Sequence, residues 1–137
     1  MNGTYGSPTQ RKMLIVDDEP KICQMLARHF ALHRFEVREV QRGEEALALT
    51  GVFHPDVVLL DLLMPGIGGI ETLKQLRQLT PRPKIIILSA ADHDDVVKGA
   101  LQFGADFYMT KPVNFTELDD IVNGFSLTAR KAHAGPS

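Results

Sequence analysis

Five residues with charged or hydroxyl side chains end short apolar runs or directly follow them. Two adjacent acids follow the first run, a third acid follows another, and a serine and a lysine mark the ends of two more: Asp17, Asp18, Asp61, Ser89 and Lys111. Three carboxylates in one pocket repel one another and raise the pKa of at least one of them, and a divalent cation removes that conflict. Ligands that are all oxygens favour a hard ion, Mg²⁺ before Zn²⁺. With a lysine and a hydroxyl to bind phosphate oxygens, such a pocket favours formation of an acyl phosphate on an aspartate.

The apolar runs have the pattern of β-strands that alternate with helices. We predict strands at 13–16, 35–40, 56–60, 84–89 and 106–110, and helices at 20–34, 44–50, 69–79, 92–103 and 114–125. Strict alternation of this kind predicts an α/β domain with a parallel sheet, in which the two fully apolar strands, the third and the fourth, lie at the centre. The carboxyl ends of the strands meet in one crevice of such a sheet. The sequence therefore predicts that the five polar residues lie in one pocket.

Several helix ends carry recognisable residues. Pro20 suits a first helical turn. Asp92 is a candidate N-cap for the fourth helix, and Gly104 stands where a glycine commonly ends a helix. Asn114 followed by Glu117 resembles a capping box at the start of the last helix.

Composition and charge narrow the class of protein. The chain has 137 residues, the size of one domain, and 44% of them are apolar. Its 15 basic and 17 acidic residues give a net charge of −2, which provides no general attraction to nucleic acid or to an anionic membrane. Val57–Leu60 and Ile85–Leu88 are the longest aliphatic runs, much shorter than the roughly 20 residues of a membrane-spanning helix. We therefore expect a cytoplasmic protein that binds neither a membrane nor nucleic acid directly.

The polar ends of the sequence suggest a single domain with two flexible ends. We predict a lead-in at residues 1–11, a domain at 12–127 and a tail at 128–137. The residues after the last helix are too few to fold alone, so the sequence leaves open whether the chain acts by itself or belongs to a longer one.

The cysteine and the histidines have ordinary interpretations. Cys23 shares an apolar helix face with Leu26 and Phe30, so we predict a buried small side chain. The histidines show no spacing that we interpret as a metal site, and we predict surface or packing roles for all of them: His29, His33, His54, His93 and His133.

Four motifs together resemble the receiver domain of two-component response regulators. They are VDDE at 16–19, LLDLLMPGIGG at 59–69, LSA at 88–90 and YMTKP at 108–112, and the resemblance covers about residues 12–127. It implies a flavodoxin-like, doubly wound sheet of five parallel strands in the order 2-1-3-4-5, with five helices. It also implies a signalling switch that catalyses its own phosphorylation and dephosphorylation without being a conventional turnover enzyme.

The resemblance assigns the reaction to particular residues. Asp61 matches the phosphoacceptor, and Lys111 matches the lysine that binds the phosphoryl group. Asp17 and Asp18 match the acidic pair that holds Mg²⁺ together with Asp61, with Asp18 the more direct ligand. The backbone carbonyl of Leu63 matches a further metal ligand.

Other matched residues have switching or structural roles. Ser89 and Tyr108 match the hydroxyl and the aromatic residue that rearrange on activation. Gly69 matches a glycine that closes the loop of the site, and Pro112 follows a cis peptide bond in the family. The implied phosphodonor is a histidine kinase or a histidine phosphotransfer protein. The implied output is a changed affinity of the fourth helix, fifth strand and fifth helix for a downstream protein or a second copy.

Two other functions stay open at the level of sequence. Phosphatases and phosphotransferases with an aspartate nucleophile typically carry a second acid two residues later, where this chain has Leu63. Receiver-like adaptors that work without phosphorylation usually lose an acid or the lysine, and this chain keeps them all. Each residue also has an ordinary explanation alone, since acids often precede helices and serines often end strands.

Overall fold

Five strands alternate with five helices along residues 10–124, the part of the chain that the computed structural model describes. The strands are β1 (Arg11–Val16), β2 (Phe35–Val40), β3 (Val57–Leu60), β4 (Lys84–Ser89) and β5 (Phe107–Thr110). The helices are α1 (Pro20–Leu32), α2 (Gly43–Phe53), α3 (Gly68–Arg77), α4 (Asp94–Gln102) and α5 (Phe115–Val122). This arrangement confirms the predicted number, type and order of the elements.

All the strand pairs are parallel, and the strand order is β2-β1-β3-β4-β5, as the resemblance implies. The register aligns the carboxyl ends of the inner strands. Val16 at the end of β1 pairs with Leu60 at the end of β3. The backbone N–H of Asp61 then donates to the carbonyl of Val16 at 2.9 Å, so β1 and β3 end at the same level.

Two apolar layers cover the two faces of the sheet. Successive side chains of a strand point to opposite faces, so Met13 and Ile15 pack with α1 and α5, whereas Leu14 and Val16 pack with α2, α3 and α4. Every side chain of β3 is buried, which agrees with its predicted central position. This double layer fixes the strand ends from which the site residues project.

Several predicted helix ends are wrong by a few residues. α1 ends at Leu32 rather than 34, because Arg34 has a left-handed backbone with φ 70°. α2 continues to Phe53 rather than Thr50, and burial of the Phe53 ring accounts for the extra turn. α3 starts at Gly68, one residue before the predicted start, and ends at Arg77, two residues before the predicted end. Gln78 and Leu79 after it each donate a backbone hydrogen bond to the carbonyl three residues earlier.

The caps of the last two helices give mixed outcomes. Asp92 is not an N-cap, since α4 begins at Asp94 after an extended His93 that makes no side-chain cap. Its first turn contains two acids, which the helix dipole favours without a cap. Gly104 follows α4 with φ 114°, as predicted. Asn114 caps α5 by accepting a hydrogen bond from the N–H of Glu117 at 2.9 Å.

The start of the domain differs from the prediction. Arg11, predicted in the lead-in, opens β1, and its guanidinium donates to the carbonyl of Val122 at 3.0 Å and stacks over Phe35. The tail predicted at 128–137 and residues 1–9 of the lead-in lie outside the described residues. The last helix, predicted to reach about residue 125, ends at Val122, and Gly124 after it has a left-handed backbone with φ 108°. Within residues 10–124, no helix has the length and apolar character needed to cross a membrane.

Candidate acidic site at the strand ends

The two central strand ends place two buried carboxylates next to each other. Asp17 follows β1 and is 3% exposed, and Asp61 follows β3 and is 5% exposed. Asp18 is exposed at the mouth of the same pocket. One carboxylate oxygen of each of the three acids lies within 4.8 Å of the others. The structure therefore brings together the three acids that the sequence places at strand ends.

Lys111 reaches this pocket from the far side of β4. Its ammonium nitrogen lies 2.8 Å from Oδ2 of Asp17, 3.4 Å from Oε1 of Glu19 and 3.5 Å from Oδ2 of Asp61. The backbone N–H of Lys111 donates to the carbonyl of Ser89 at 2.9 Å, which anchors the residue at the strand end. The peptide bond between Lys111 and Pro112 is cis.

Each buried carboxylate also binds the backbone of its own turn. Oδ1 of Asp17 accepts a hydrogen bond from the N–H of Glu19 at 2.9 Å, and Oδ1 of Asp61 accepts one from the N–H of Leu63 at 3.1 Å. These contacts orient the second oxygen of each acid toward Lys111. The sequence therefore builds the pocket from two short turns that follow buried strands.

Burial is the largest single influence on the pKa values of Asp61 and Lys111 in this pocket. Burial raises the pKa of Asp61, the Leu63 N–H and the charge of Lys111 oppose that rise, and the charge of Asp17 adds to it. Burial lowers the pKa of Lys111, but the hydrogen bond to Asp17 and the charges of Asp61 and Asp17 outweigh it, so the pKa is raised. The lysine is thus protonated at neutral pH, while the negative charge on Asp61 remains only partly compensated.

The donor atoms of this pocket fit a hard divalent cation. All three acids offer oxygen, and no histidine or cysteine belongs to the group. Because one lysine charge faces three carboxylates, a further positive charge would relieve the pocket. The three carboxylates predicted to bind Mg²⁺ thus pass the test of donor type and proximity.

Ser89 and Tyr108 extend the site behind Asp61. Both side chains are buried. Oγ of Ser89 accepts a hydrogen bond from the N–H of Ala91 at 3.3 Å, and the hydroxyl of Tyr108 donates to the carbonyl of Ala91. Burial raises the pKa of Tyr108, the Ser89 hydroxyl opposes that rise and the charge of Asp61 adds to it, so the hydroxyl keeps its proton as a donor. The ring of Tyr108 thus lies in the interior of the domain, and hydrogen bonds to the backbone of Ala91 connect it with Ser89.

Comparison with known families decides the identity of this arrangement. The family model described as the response regulator receiver domain matches residues 13–123. The chain belongs to the response regulator receiver domain family. Receiver domains of two-component systems interact with histidine kinases and typically bind Mg²⁺ at an acidic pocket.

Individual relatives agree with this family. The receiver domain is 40% identical over 111 residues to the regulatory protein AtoC of Escherichia coli, covering 81% of this chain and 24% of AtoC. It is 38% identical over 128 residues to the alkaline phosphatase synthesis transcriptional regulatory protein PhoP of Bacillus subtilis, covering 93% of this chain and 52% of PhoP. The chain thus spans about half the length of PhoP and a quarter of that of AtoC.

A solved structure provides a close match to the fold. It is a response regulator from Burkholderia pseudomallei, described with a phosphorylated aspartic acid, a calcium ion and citrate. Its TM-score to this receiver domain is 0.80 at 25% identity, and the match covers 92% of this chain and 75% of that one.

The loop after Asp61 depends on Gly69. A side chain at this position would come within 2.6 Å of the carbonyl oxygen of Asp61 and even closer to the backbone of Leu62. The N–H of Gly69 donates to the carbonyl of Leu62 at 3.2 Å, which ties the start of α3 to the receiver domain's acidic pocket. Leu63, on the other side of this loop, is 56% exposed.

Glu19 is the partner of Lys111 that sequence reasoning missed. It stands within the VDDE motif, but we assigned it no role, because an exposed acid before a helix is common. Its position beside the acidic pair was the available indication. Cys23, by contrast, is buried as predicted, and its thiol donates to the carbonyl of Asp17 at 3.2 Å.

Proposed function

We propose that this receiver domain is a phosphorylation-dependent switch whose phosphoacceptor is Asp61. The observation that carries the proposal is the buried carboxylate of Asp61, whose oxygen lies 3.5 Å from the ammonium of Lys111 and within 4.8 Å of carboxylate oxygens from Asp17 and Asp18. A carboxylate in this setting is a nucleophile surrounded by groups that bind phosphate oxygens and a cation.

The proposed reaction is an in-line phosphoryl transfer from a phosphohistidine of a kinase or phosphotransfer protein. An oxygen of Asp61 forms a bond to phosphorus as the bond from phosphorus to the donor's imidazole nitrogen breaks. The imidazole nitrogen keeps the electron pair and takes a proton from solvent, and the product on this chain is an aspartyl phosphate. The ammonium of Lys111 binds a phosphoryl oxygen, which stabilises the charge on the transferring group.

The carboxylates of Asp17, Asp18 and Asp61, with the carbonyl of Leu63 that the family resemblance adds, are the residues proposed to hold Mg²⁺. When bound, the ion supplies positive charge to the phosphoryl oxygens and relieves repulsion among the acids. The chain takes the phosphoryl group onto its own side chain and later loses it to water as inorganic phosphate, so we do not propose a conventional turnover enzyme.

Ser89, Ala91 and Tyr108 form the proposed connection from the phosphoryl group to the surface. We expect a phosphoryl oxygen to accept a hydrogen bond from the Ser89 hydroxyl. That contact would move the backbone at Ala91, to which Tyr108 is bonded, and so hold its ring in the interior position that it already occupies in this structure. The consequence is a population shift of the surface formed by α4, β5 and α5 toward a state that binds a downstream protein or a second copy.

Two observations bear on the alternative functions. Membership of the receiver family counts against an aspartate-nucleophile phosphatase. The adaptor alternative requires that Asp61 accept no phosphoryl group, and the complete set of acids with Lys111 argues against it.

One experiment separates the three functions. The full chain is incubated with Mg²⁺ and acetyl phosphate, and its intact mass is compared with that of Asp61→Asn treated in the same way. One phosphoryl group on the parent and none on Asp61→Asn supports the switch. Release of phosphate from aryl phosphoesters over many turnovers would support a phosphatase, and no added mass on the parent would support the adaptor.

A further inference from the structure

His29 in the last turn of α1, His33 directly after that helix and Asp119 of α5 form a second cluster of metal-binding side chains. Within residues 10–124 it is one of two such groups, and it includes no residue of the acidic pocket. Nε2 of His29 lies 2.7 Å from Oδ1 of Asp119, and a ring nitrogen of His33 lies within 4.8 Å of both. Our sequence interpretation of these histidines was wrong in one respect. Residues four apart share a helix face, so His29 and His33 do have the spacing of a metal-binding pair.

The hydrogen bond of His33 leaves one of its ring nitrogens available. Nδ1 of His33 lies 2.7 Å from the carbonyl oxygen of His29. Because a carbonyl oxygen only accepts, Nδ1 carries the proton, and Nε2 of the neutral ring has a free electron pair. Histidines that bind metals typically donate their other N–H to a backbone carbonyl or a carboxylate in this way. In its neutral form, His33 can therefore offer Nε2 to a metal ion while Nδ1 keeps its hydrogen bond.

Neighbouring rings fix the orientation of His29. Its ring centroid lies 4.3 Å from that of Phe115, 4.4 Å from that of His33 and 4.8 Å from that of Phe30. The side chains of His29 and Asp119 are 21% and 28% exposed, so solvent ions have access to a pair that the packing already orders. Such preorganisation lowers the entropic cost of binding.

We propose that His29, His33 and Asp119 bind a divalent transition-metal ion of the Zn²⁺ class. Two imidazoles and a carboxylate are a common ligand set for zinc, with water in the remaining position, whereas Mg²⁺ prefers oxygen ligands alone. Two ligands of a tetrahedral zinc ion lie about 3.3 Å apart when each bond is about 2.0–2.1 Å. A small movement of the Asp119 carboxylate would provide that separation, and the proton that His29 Nε2 now donates to Asp119 would pass to His29 Nδ1 or to solvent.

The site joins two helices that are neighbours only in space. α1 and α5 cover the same face of the sheet, and His29 lies nine residues, about 14 Å of helix, beyond Pro20 at the start of α1. The ion would link the last turn of α1 to the middle of α5. It would therefore stabilise the packing of α5, one element of the proposed output surface.

Zinc binding by chelator-treated full chain tests the proposal, with Zn²⁺ competed against a colorimetric indicator and Co²⁺ absorption as a second readout. We expect one Zn²⁺ per chain. His29→Gln, His33→Gln and Asp119→Asn should each weaken binding at least tenfold while circular dichroism shows an intact fold. His54→Gln, His93→Gln and His133→Gln are matched controls and should bind within twofold of the parent.

Separate variants distinguish the two cation sites. Asp18→Ala should reduce Mg²⁺ binding and leave Zn²⁺ binding unchanged. His33→Gln should reduce Zn²⁺ binding and leave both Mg²⁺ binding and Mg²⁺-dependent phosphorylation unchanged. The proposal is overturned if the parent binds no Zn²⁺, if His29→Gln and His33→Gln bind it like the parent, or if Asp18→Ala abolishes it. Failure of phosphorylation in all chains would refute the switch and leave the zinc result to stand on its own.

Discussion

At the scale of single residues, the acidic pocket is dominated by the cost of burying Asp61. We expected repulsion among three acids to raise a pKa, and the pKa of Asp61 is indeed raised. Burial is the main cause, however. The charge of Asp17 contributes less, and the charge of Lys111 opposes the rise. A sequence shows which charges converge but not how deeply each is covered.

Asp61→Asn should increase the free energy of unfolding at pH 7 in the presence of chelator. A carboxyl with a raised pKa in the folded state binds protons more tightly there than in the unfolded chain, so stability falls as pH rises through the two pKa values. The ionised group therefore destabilises the protein at pH 7, and asparagine removes that charge at similar volume. We expect a gain on the order of 1 kcal/mol in urea unfolding.

The gain should disappear below about pH 3, where the carboxyl is protonated in both states. Asp120→Asn removes an exposed charge from α5 and serves as the control, with an expected change within about 0.5 kcal/mol. A parent that is more stable than Asp61→Asn at pH 7 in chelator would contradict the assignment of Asp61 as an uncompensated buried charge.

Leu63 and Ala91 should make loss of the phosphoryl group slow. They stand two residues after Asp61 and two after Ser89, and neither side chain can hydrogen-bond to an attacking water. We expect Leu63→Asn combined with Ala91→Glu to hydrolyse the aspartyl phosphate about tenfold faster, equivalent to about 1.4 kcal/mol of barrier. The measurement is decay of the phosphorylated mass in Mg²⁺ after removal of the donor.

Val52→Asn provides a matched control for the decay experiment. Val52 is also an exposed apolar residue, but it lies on α2, outside the acidic pocket. Its substitution should leave the decay rate unchanged. Equal decay of the double variant and the parent would show that these two positions do not govern access of water.

At the scale of elements, the strands were predicted more accurately than the helix ends. The aliphatic run Ile85–Leu88 marks a buried strand directly, and the strand predicted at 84–89 is found at the same residues. Helix ends depend on contacts that are distant in sequence, as the buried Phe53 at the end of α2 illustrates. The pairing of His29 with Asp119 joins residues 90 positions apart, and no local pattern in the sequence indicates it.

Gly69→Ala should destabilise the protein because the loop after Asp61 has no room for a methyl group. The added carbon would meet backbone atoms of Asp61 and Leu62, which cannot turn aside as a flexible side chain can. We expect a loss of about 1–3 kcal/mol in urea unfolding.

Gly99→Ala is the matched control for this substitution. Gly99 lies in α4, and an added carbon there meets no atom within 4 Å. Because alanine favours helix, the control should gain up to about 1 kcal/mol. Similar losses at both glycines would mean that steric contact with the loop is not the cause.

At the scale of the whole molecule, Cys23 should report global unfolding. The chain has one cysteine, and its side chain is buried on the face of α1 that packs against the sheet. Burial, aided by the charges of Asp17 and Glu39, raises the pKa of its thiol to about 12, so almost no reactive thiolate exists at pH 8. We expect labelling by a thiol reagent only through unfolded molecules, with a rate that rises with urea in parallel with loss of circular dichroism. Fast labelling in the absence of urea would show that α1 opens locally.

The contact between Arg11 and the end of α5 determines where neighbouring segments can attach. Nη2 of Arg11 lies 2.6 Å from Oδ1 of Asn123, so the first strand begins beside the end of the last helix. The six residues of β1 extend about 20 Å from this point to Asp17. A segment fused before residue 10 and one fused after residue 124 would therefore both attach near the amino-terminal end of β1, at the end of the sheet opposite Asp61. Because these two ends lie close together, residues 10–124 could be inserted into a surface loop of a reporter protein through two neighbouring connections. Both connections would lie away from the phosphoacceptor and leave it accessible.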